Sequence, residues 1–151
     1  MSVSQVFVRA ARLADFPALA ATDELAVPGS ARWDDLHGFA NGTQGWCLLA
    51  ETHEAKSSSV VGYVAVAPGH FFGRDFVELL VVAGSARRLG IGSQLLEAAV
   101  HRAASATVFT STNTSNAAMR ALLNAAGWHI SGVLDGLDEG DPEIVFRIGR
   151  L

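Results

Sequence analysis

Two spacings of hydrophobic residues alternate along the chain and divide it into strands and helices. Compact or alternating apolar blocks predict strands at residues 3–9, 45–51, 60–67, 76–82, 107–111, 128–133 and 143–148. Apolar side chains three or four positions apart predict helices at about residues 15–25, 33–39, 89–102 and 116–126. The polar stretch 52–59 and the turn 68–74 would join neighbouring strands.

The segment 76–82 has the pattern of a central strand, because Glu78 is its only charged residue. After Ala83-Gly84-Ser85 the spacing becomes helical, and a further strand follows. A strand, a helix and a strand in succession imply a parallel strand pair. The sequence therefore predicts a mixed α/β fold with the element order βααββββαβαββ, or one close to it. We find no repeat and expect residues 1–151 to form a single domain.

Composition narrows the class of protein. Half of the 151 residues are hydrophobic, which is enough for a sizeable core and excludes a disordered or fibrous chain. The formal charge is −4 and the arginines are scattered, so nucleic acid is not an expected partner. Cys47 is the single cysteine, and the five histidines lack the spacing of metal ligands. The sequence therefore predicts neither a disulfide nor a metal site.

Compartment and source are also indicated by composition. Residues 1–12 lack the apolar core and the cleavage site of a secretory signal. No apolar run approaches the roughly 20 residues of a membrane span. We therefore expect a cytoplasmic protein without membrane association. The abundance of alanine and the near absence of lysine indicate a bacterial source.

The segment 81–93 is the strongest candidate for a binding loop. Gly90 and Gly92, at the start of an apolar helix, would let the backbone approach a ligand closely, and the first backbone amides of that helix have no intrahelical partner. Arg87 and Arg88 add positive charge to that helix end, so a pyrophosphate would fit there. The third glycine of the dinucleotide-binding pattern and the lysine of the Walker loop are both absent.

The loop and its strand resemble the acetyl-CoA-binding motif of the Gcn5-related N-acetyltransferase (GNAT) family. Val82 precedes Arg87-x-x-Gly90-x-Gly92 by five residues, and Asn116 is followed by a helix and then by Gly127-Trp128. The element order fits the family over essentially the whole chain. The resemblance implies a centrally splayed sheet flanked by helices, acetyl-CoA as co-substrate, and transfer to a primary amine of a small molecule or peptide in a ternary complex. It also implies a homodimer.

The resemblance also implies roles for individual residues. Backbone groups near Leu80 and Val82 would bind the pantetheine arm, and Asn116 would bind the far end of the cofactor, with Asn113 as a rival. Plain helix capping is an alternative role for either asparagine. The pyrophosphate would be held by the side chains of Arg87 and Arg88 and by the amides of Leu89, Gly90, Ile91, Gly92 and Ser93.

Glu78 is the candidate general base for the acceptor amine. Strand alternation would place it on the face of Leu80 and Val82, beside the thioester, although a structural carboxylate is an equal alternative. An amide near Leu80 would meet the thioester oxyanion. Leu123 occupies the position where the family commonly has a tyrosine acid, so the thiolate would leave unassisted or through water.

Other residues with reactive side chains have plainer interpretations. Tyr63 is better explained as a core or pocket residue than as a replacement acid, and Cys47 as a buried inert thiol than as an acyl carrier. His70 either borders the acceptor or lies exposed in a turn.

The acceptor site is predicted less sharply. Residues 135–143 hold five carboxylates, and Asp138 and Asp141 would attract a cationic acceptor, unless the segment is only a solvated turn. Aromatic residues for the wall of that site are Trp33, Phe39, Phe71 and Phe72, which core packing explains equally well. Two other functions stay open: a non-catalytic acyl-CoA sensor or interaction module, motivated by Leu123, and a nucleotide-phosphate-binding domain unrelated to CoA.

Overall fold

Residues 5–149, which the computed structural model describes, build one seven-stranded sheet with helices on both faces. The elements in chain order are β1 (Gln5–Ala10), α1 (Phe16–Thr22), α2 (Ala31–Ala40), β2 (Trp46–Glu54), β3 (Ser57–Phe71), β4 (Arg74–Val82), α3 (Ile91–Arg102), β5 (Thr107–Asn113), α4 (Ala117–Ala125), β6 (His129–Leu134) and β7 (Glu143–Gly149). Residues 3 and 4 of the first predicted strand lie outside the described residues. No helix within residues 5–149 is long and apolar enough to span a membrane.

The strands follow the spatial order β1-β2-β3-β4-β5-β7-β6. Only β4 and β5 run parallel, and every other neighbouring pair is antiparallel. The connection from β4 to β5 passes through α3, as the change from strand to helix spacing predicted. The predicted mixed α/β fold with a central splayed sheet is confirmed.

The predicted order βααββββαβαββ has four strands between α2 and α3, one more than the three segments 45–51, 60–67 and 76–82 predicted there, and the structure has three. The predicted loop 52–59 shrinks to a two-residue turn, since Glu54 already pairs with Ser57. The predicted turn 68–74 is also shorter, because β3 continues through Pro68 and Gly69 to Phe71. The chain reverses only at Phe72 and Gly73, whose φ angles of 51° and 78° allow a tight hairpin.

Two hydrophobic clusters cover the two faces of the sheet. The α3–α4 core joins Ile91 and Leu95 of α3 and Leu123 of α4 to Val64 of β3 and Val108 of β5. The second cluster, the α1–α2 core, packs Phe16, Leu19, Leu36 and Phe39 on Leu49, Tyr63 and Ala65. It reaches β4 at Leu79 and Val81 and includes no described residue of β5, β6 or β7. The face of β5 and β7 opposite α4 therefore lies outside both cores, and we call it the open face.

Candidate active site

The centre of the sheet opens into a gap between β4 and β5. These strands pair only where residues 75–77 face residues 108–110. Beyond that point, residues 78–82 of β4 and 111–113 of β5 have no register with each other. Because Ala83 N donates to Val61 O at 2.8 Å, the alternation of strand hydrogen bonds directs the polar groups of Val82 and Leu80 away from β3 and into the gap.

The N-terminus of α3 lies at the end of this gap and has the features of an anion site. Arg88 and Gly90 adopt left-handed φ angles of 67° and 76°, which is why α3 begins at Ile91 and not at Leu89 as predicted. No side chain caps the helix, and its first turn contains no acidic residue. The first amides of α3 therefore have no side-chain acceptor, and the exposed Arg87 and Arg88 flank them. This donor set fits a pyrophosphate.

The two glycines of the motif serve different purposes. A Cβ on Gly90 would meet nothing within 4 Å, so the residue is needed for its positive φ. A Cβ on Gly92 would lie 3.0 Å from Leu122 Cδ2, so this glycine lets α3 approach α4 closely. The sequence suggested that both glycines admit a ligand to the backbone. In the structure, Gly92 has a packing role as well.

The structure separates the two candidate asparagines. Asn116 caps α4, because its Oδ1 accepts from Met119 N at 3.1 Å. Its amide nitrogen takes part in no hydrogen bond among the described residues. Asn113 instead donates to Asp138 Oδ2 at 2.8 Å and to the backbone oxygen of Asp141 at 3.2 Å. Asn116 therefore keeps donors for a ligand, whereas the amide of Asn113 is engaged within the protein.

Asp138 and Asp141 hold the loop between β5 and α4. The Asp141 carboxylate accepts from Ser115 N at 3.0 Å and from Ser115 Oγ at 2.6 Å. Pro142 O accepts from both the amide and the hydroxyl of Thr114 at 2.9 Å. Both carboxylates are predicted to attract a cationic acceptor, but Asp138 already accepts from Asn113 at the end of β5 and Asp141 from Ser115 of the loop.

Glu78 is displaced from the face that strand alternation predicts. The register of β3 and β4 jumps from Ala65 opposite Leu79 to Val66 opposite Val77, so Glu78 is the extra residue of a bulge. As a result Val77, not Glu78, joins Leu80 and Val82 in the α3–α4 core. The prediction that Glu78 shares the face of Leu80 and Val82 is therefore wrong, and the bulge is the reason.

The surroundings of Glu78 suit a proton acceptor. Its side chain is 32% exposed, and its Oε1 lies 3.4 Å from His70 Nε2. Burial raises the pKa of Glu78 above its ordinary value; the nearby His70 opposes this shift, and Asp35 of α2 adds to it. A carboxylate with a raised pKa is better matched to removing a proton near neutral pH.

An aromatic cluster lies on the same side of the sheet as Glu78. The ring centroid of Phe71 is 5.0 Å from Phe72, 5.1 Å from Phe76 and 5.0 Å from Phe109. Phe76 and Phe109 are not among the predicted wall residues, although strand alternation places them opposite the buried Val77 and Val108. Trp33 and Phe39, proposed for the same wall, instead pack with the α1–α2 core.

The remaining reactive side chains lie away from the gap. Tyr63 is fully buried and donates to Asp23 Oδ2; burial and this bond raise its pKa. Burial likewise raises the pKa of Cys47 to about 12, so the thiol is inert at neutral pH. Leu123 is fully buried in the α3–α4 core. The plainer interpretation holds for Tyr63 and Cys47.

Among the described residues, no group of three or more His, Cys, Asp and Glu could hold a metal ion.

Known protein structures share the fold of this chain, and a family profile matches most of its sequence. Residues 9–128 match the profile of the acetyltransferase (GNAT) family. A GNAT-family acetyltransferase from Bacillus cereus ATCC 10987 is similar, with a TM-score of 0.84 and 29% identity over 97% of this chain and 99% of that one. No curated protein matches by sequence.

Two acetyl-CoA complexes share the fold at lower identity. The putative acetyltransferase yncA from Salmonella typhimurium has a TM-score of 0.73 and 19% identity over 97% of this chain and 94% of that one. NAA60 from Arabidopsis thaliana has a TM-score of 0.78 and 15% identity over 96% and 99% of the two chains.

Proposed function

The chain belongs to the acetyltransferase (GNAT) family, and on that premise we propose that it transfers the acetyl group of acetyl-CoA to a primary amine by direct attack in a ternary complex. The observation that carries the proposal is the gap between β4 and β5, which ends at the uncapped N-terminus of α3. The unpaired backbone of one strand and the free amides of one helix thus line a single continuous path.

Acetyl-CoA would lie along this path and supply an activated acetyl thioester. The backbone of Leu80 and Val82 would bond its pantetheine arm, and the side-chain nitrogen of Asn116 would bond its far end. Its pyrophosphate would meet the side chains of Arg87 and Arg88 and the amides of Leu89, Gly90, Ile91, Gly92 and Ser93. The groups proposed for the pyrophosphate are all hydrogen-bond donors, as its two negative charges require.

Glu78 would take the proton of the amine, directly or through one water. Its carboxylate is near Asp35 of α2, on the side of the sheet opposite α3, while the backbone of Leu80, two residues on, faces the gap. An amide of β4 near Leu80 would stabilise the negative charge that develops on the carbonyl oxygen. Position 123 is a buried leucine and supplies no acid, so the CoA thiolate would leave unassisted or take a proton through water.

A non-catalytic acyl-CoA sensor is the second candidate, and the buried Leu123 is the observation that favours it. Both functions require acetyl-CoA binding, and they differ only in turnover. Release of free thiol from acetyl-CoA over a panel of amines separates them. Tight binding with no thiol release for any amine would support the sensor.

Calorimetry with acetyl-CoA tests the cofactor site. Replacing both Arg87 and Arg88 by alanine should weaken binding by about 10- to 100-fold, since two charge-assisted contacts to the pyrophosphate are lost. Arg74→Ala is the matched control, because this exposed arginine lies at the start of β4, away from α3. Unchanged affinity in the double variant, or stronger competition by ATP than by CoA, would contradict the proposal.

We also propose that the chain works as a homodimer. The edge strand β6 supports this, because Ile130 and Val133 are 62% and 60% exposed and an uncharged edge favours strand pairing. Light scattering that shows a strict monomer at all concentrations would contradict it.

A further inference from the structure

The open face of β5 and β7 continues onto β4 and β6, and one row of side chains runs across these four strands. Phe76 of β4 is in register with Phe109 of β5, which is opposite Arg147 of β7, which is opposite His129 of β6. Residues paired in this way share a face of the sheet. Phe146 and Ile148, on either side of Arg147, belong to the α3–α4 core, so Arg147 projects from the open face.

Groups of opposite charge lie beside the two ends of this row. Glu78 lies two residues beyond Phe76 along β4, and Asp35 of α2 acts on it electrostatically. Arg147 and His129 form the other end, and both are exposed. Neither takes part in an ion pair or hydrogen bond among residues 5–149. Glu143, the nearest carboxylate on the same face of β7, lies four residues away, roughly 13 Å at strand spacing.

The middle of the row is apolar. Phe71 covers Phe76 and Phe109 at centroid distances of 5.1 Å and 5.0 Å, and Phe72, at the hairpin tip beside it, is 87% exposed. An exposed phenylalanine beside a partly covered aromatic cluster is an apolar surface without a partner. A ligand that lies along the row would therefore meet a carboxylate, then apolar rings, then a guanidinium.

We propose that the acceptor is an amine whose apolar body ends in a carboxylate, with the amine at Glu78 and the carboxylate at Arg147. This inference rests on the proposed acetyl transfer and names the substrate class of that site. Two strand spacings, about 10 Å, separate Phe76 from Arg147, and Glu78 lies roughly 7 Å further along β4, so the Cα atoms of Glu78 and Arg147 are about 12 Å apart. The lengths of the two charged side chains reduce the distance that the ligand must span, so the ligand needs several methylene groups or one ring between its two ends. An α-amino acid is too short to meet both charges.

Pairs of acceptors with and without a carboxylate provide the test. The wild-type protein should use 6-aminohexanoate with a kcat/KM at least about fivefold higher than that of hexylamine, since a charge-assisted contact outweighs the loss of apolar surface. Phenylalanine should show no such advantage over phenethylamine. Arg147→Gln should abolish the preference for 6-aminohexanoate over hexylamine, while Arg147→Lys should retain part of it.

Arg102→Gln is the matched control, because this arginine stacks on Trp46 at the end of α3, on the opposite face. Equal use of hexylamine and 6-aminohexanoate by the wild type, or a preference that survives in Arg147→Gln, would overturn the inference while leaving acetyl transfer intact. If no amine is turned over, calorimetry of 6-aminohexanoate in the presence of CoA decides. Absence of binding, or equal binding by Arg147→Gln, would overturn the inference.

Discussion

The two sides of the gap between β4 and β5 are built in different ways. On the α3 side, the candidate groups are mostly backbone amides and carbonyls within residues 80–93, and two left-handed residues hold them in place. On the opposite face of the sheet, the candidate groups are side chains from β3, β4, β5 and β7. A site made of backbone can be encoded in one contiguous segment, whereas a site made of side chains depends on how distant strands are registered.

The largest effect should come from Glu78, which lies where the gap between β4 and β5 begins. Glu78→Gln should lower kcat by about 10²- to 10⁴-fold and leave acetyl-CoA affinity nearly unchanged, as removal of a general base does. Protonated Glu78 cannot accept a proton, so the wild-type rate should fall as the pH drops through its raised pKa, above the ordinary range of a glutamate. Steady-state kinetics across pH check both effects.

Glu97→Gln is the matched control for this substitution, because it removes one exposed carboxylate from α3. The residual activity of Glu78→Gln should rise at basic pH, where the amine loses its proton by itself. Full activity of Glu78→Gln at every pH would make the glutamate structural.

Asp75 lies at the closed end of the gap, where β4 and β5 are still paired. It is 4% exposed, and its carboxylate accepts from Gly69 N at 3.0 Å and from Ala104 N at 2.9 Å. Asp75→Ala leaves these donors without an acceptor and should lower the free energy of unfolding by about 2–4 kcal/mol. Chemical denaturation measures this loss, and the exposed Asp135→Ala should change stability by less than about 0.5 kcal/mol. Equal stability of the two variants would show that the hydrogen bonds to the Asp75 carboxylate do not stabilise the fold.

The smallest effect separates the two glycines of the α3 side. Gly90→Ala forces a side chain into left-handed backbone at a cost of about 1–2 kcal/mol, so acetyl-CoA should bind roughly 5- to 30-fold more weakly. Gly92→Ala presses only on the flexible end of Leu122 and should keep affinity within about twofold. Calorimetry on both variants compares them. Equal losses would mean that both glycines shape the ligand contact.

Several features of the fold followed from the sequence alone. The strand and helix periods located all seven strands and four helices of the described residues, and the crossover through α3 required a parallel pair of β4 and β5. The segment from Arg87 to Ser93, where a loop passes into α3, could also be predicted, because glycine, arginine and the start of an apolar helix are all local features. Strand ends were less accurate, since the pairing of Glu54 with Ser57 and the extension of β3 to Phe71 depend on partner strands.

What the tertiary structure alone decided was which side chains share a face. The bulge at Glu78 reversed the alternation that the sequence implies, and the register of β5 with β7 placed Arg147 beside Phe109. Docking of the loops engaged Asp141 with Ser115 and left the amide nitrogen of Asn116 without a hydrogen-bond partner among the described residues. Helix starts and turns follow from neighbouring residues, so one sequence window contains them. Registers and bulges minimise the energy of whole strands packed together, and no single window of the sequence contains both partners.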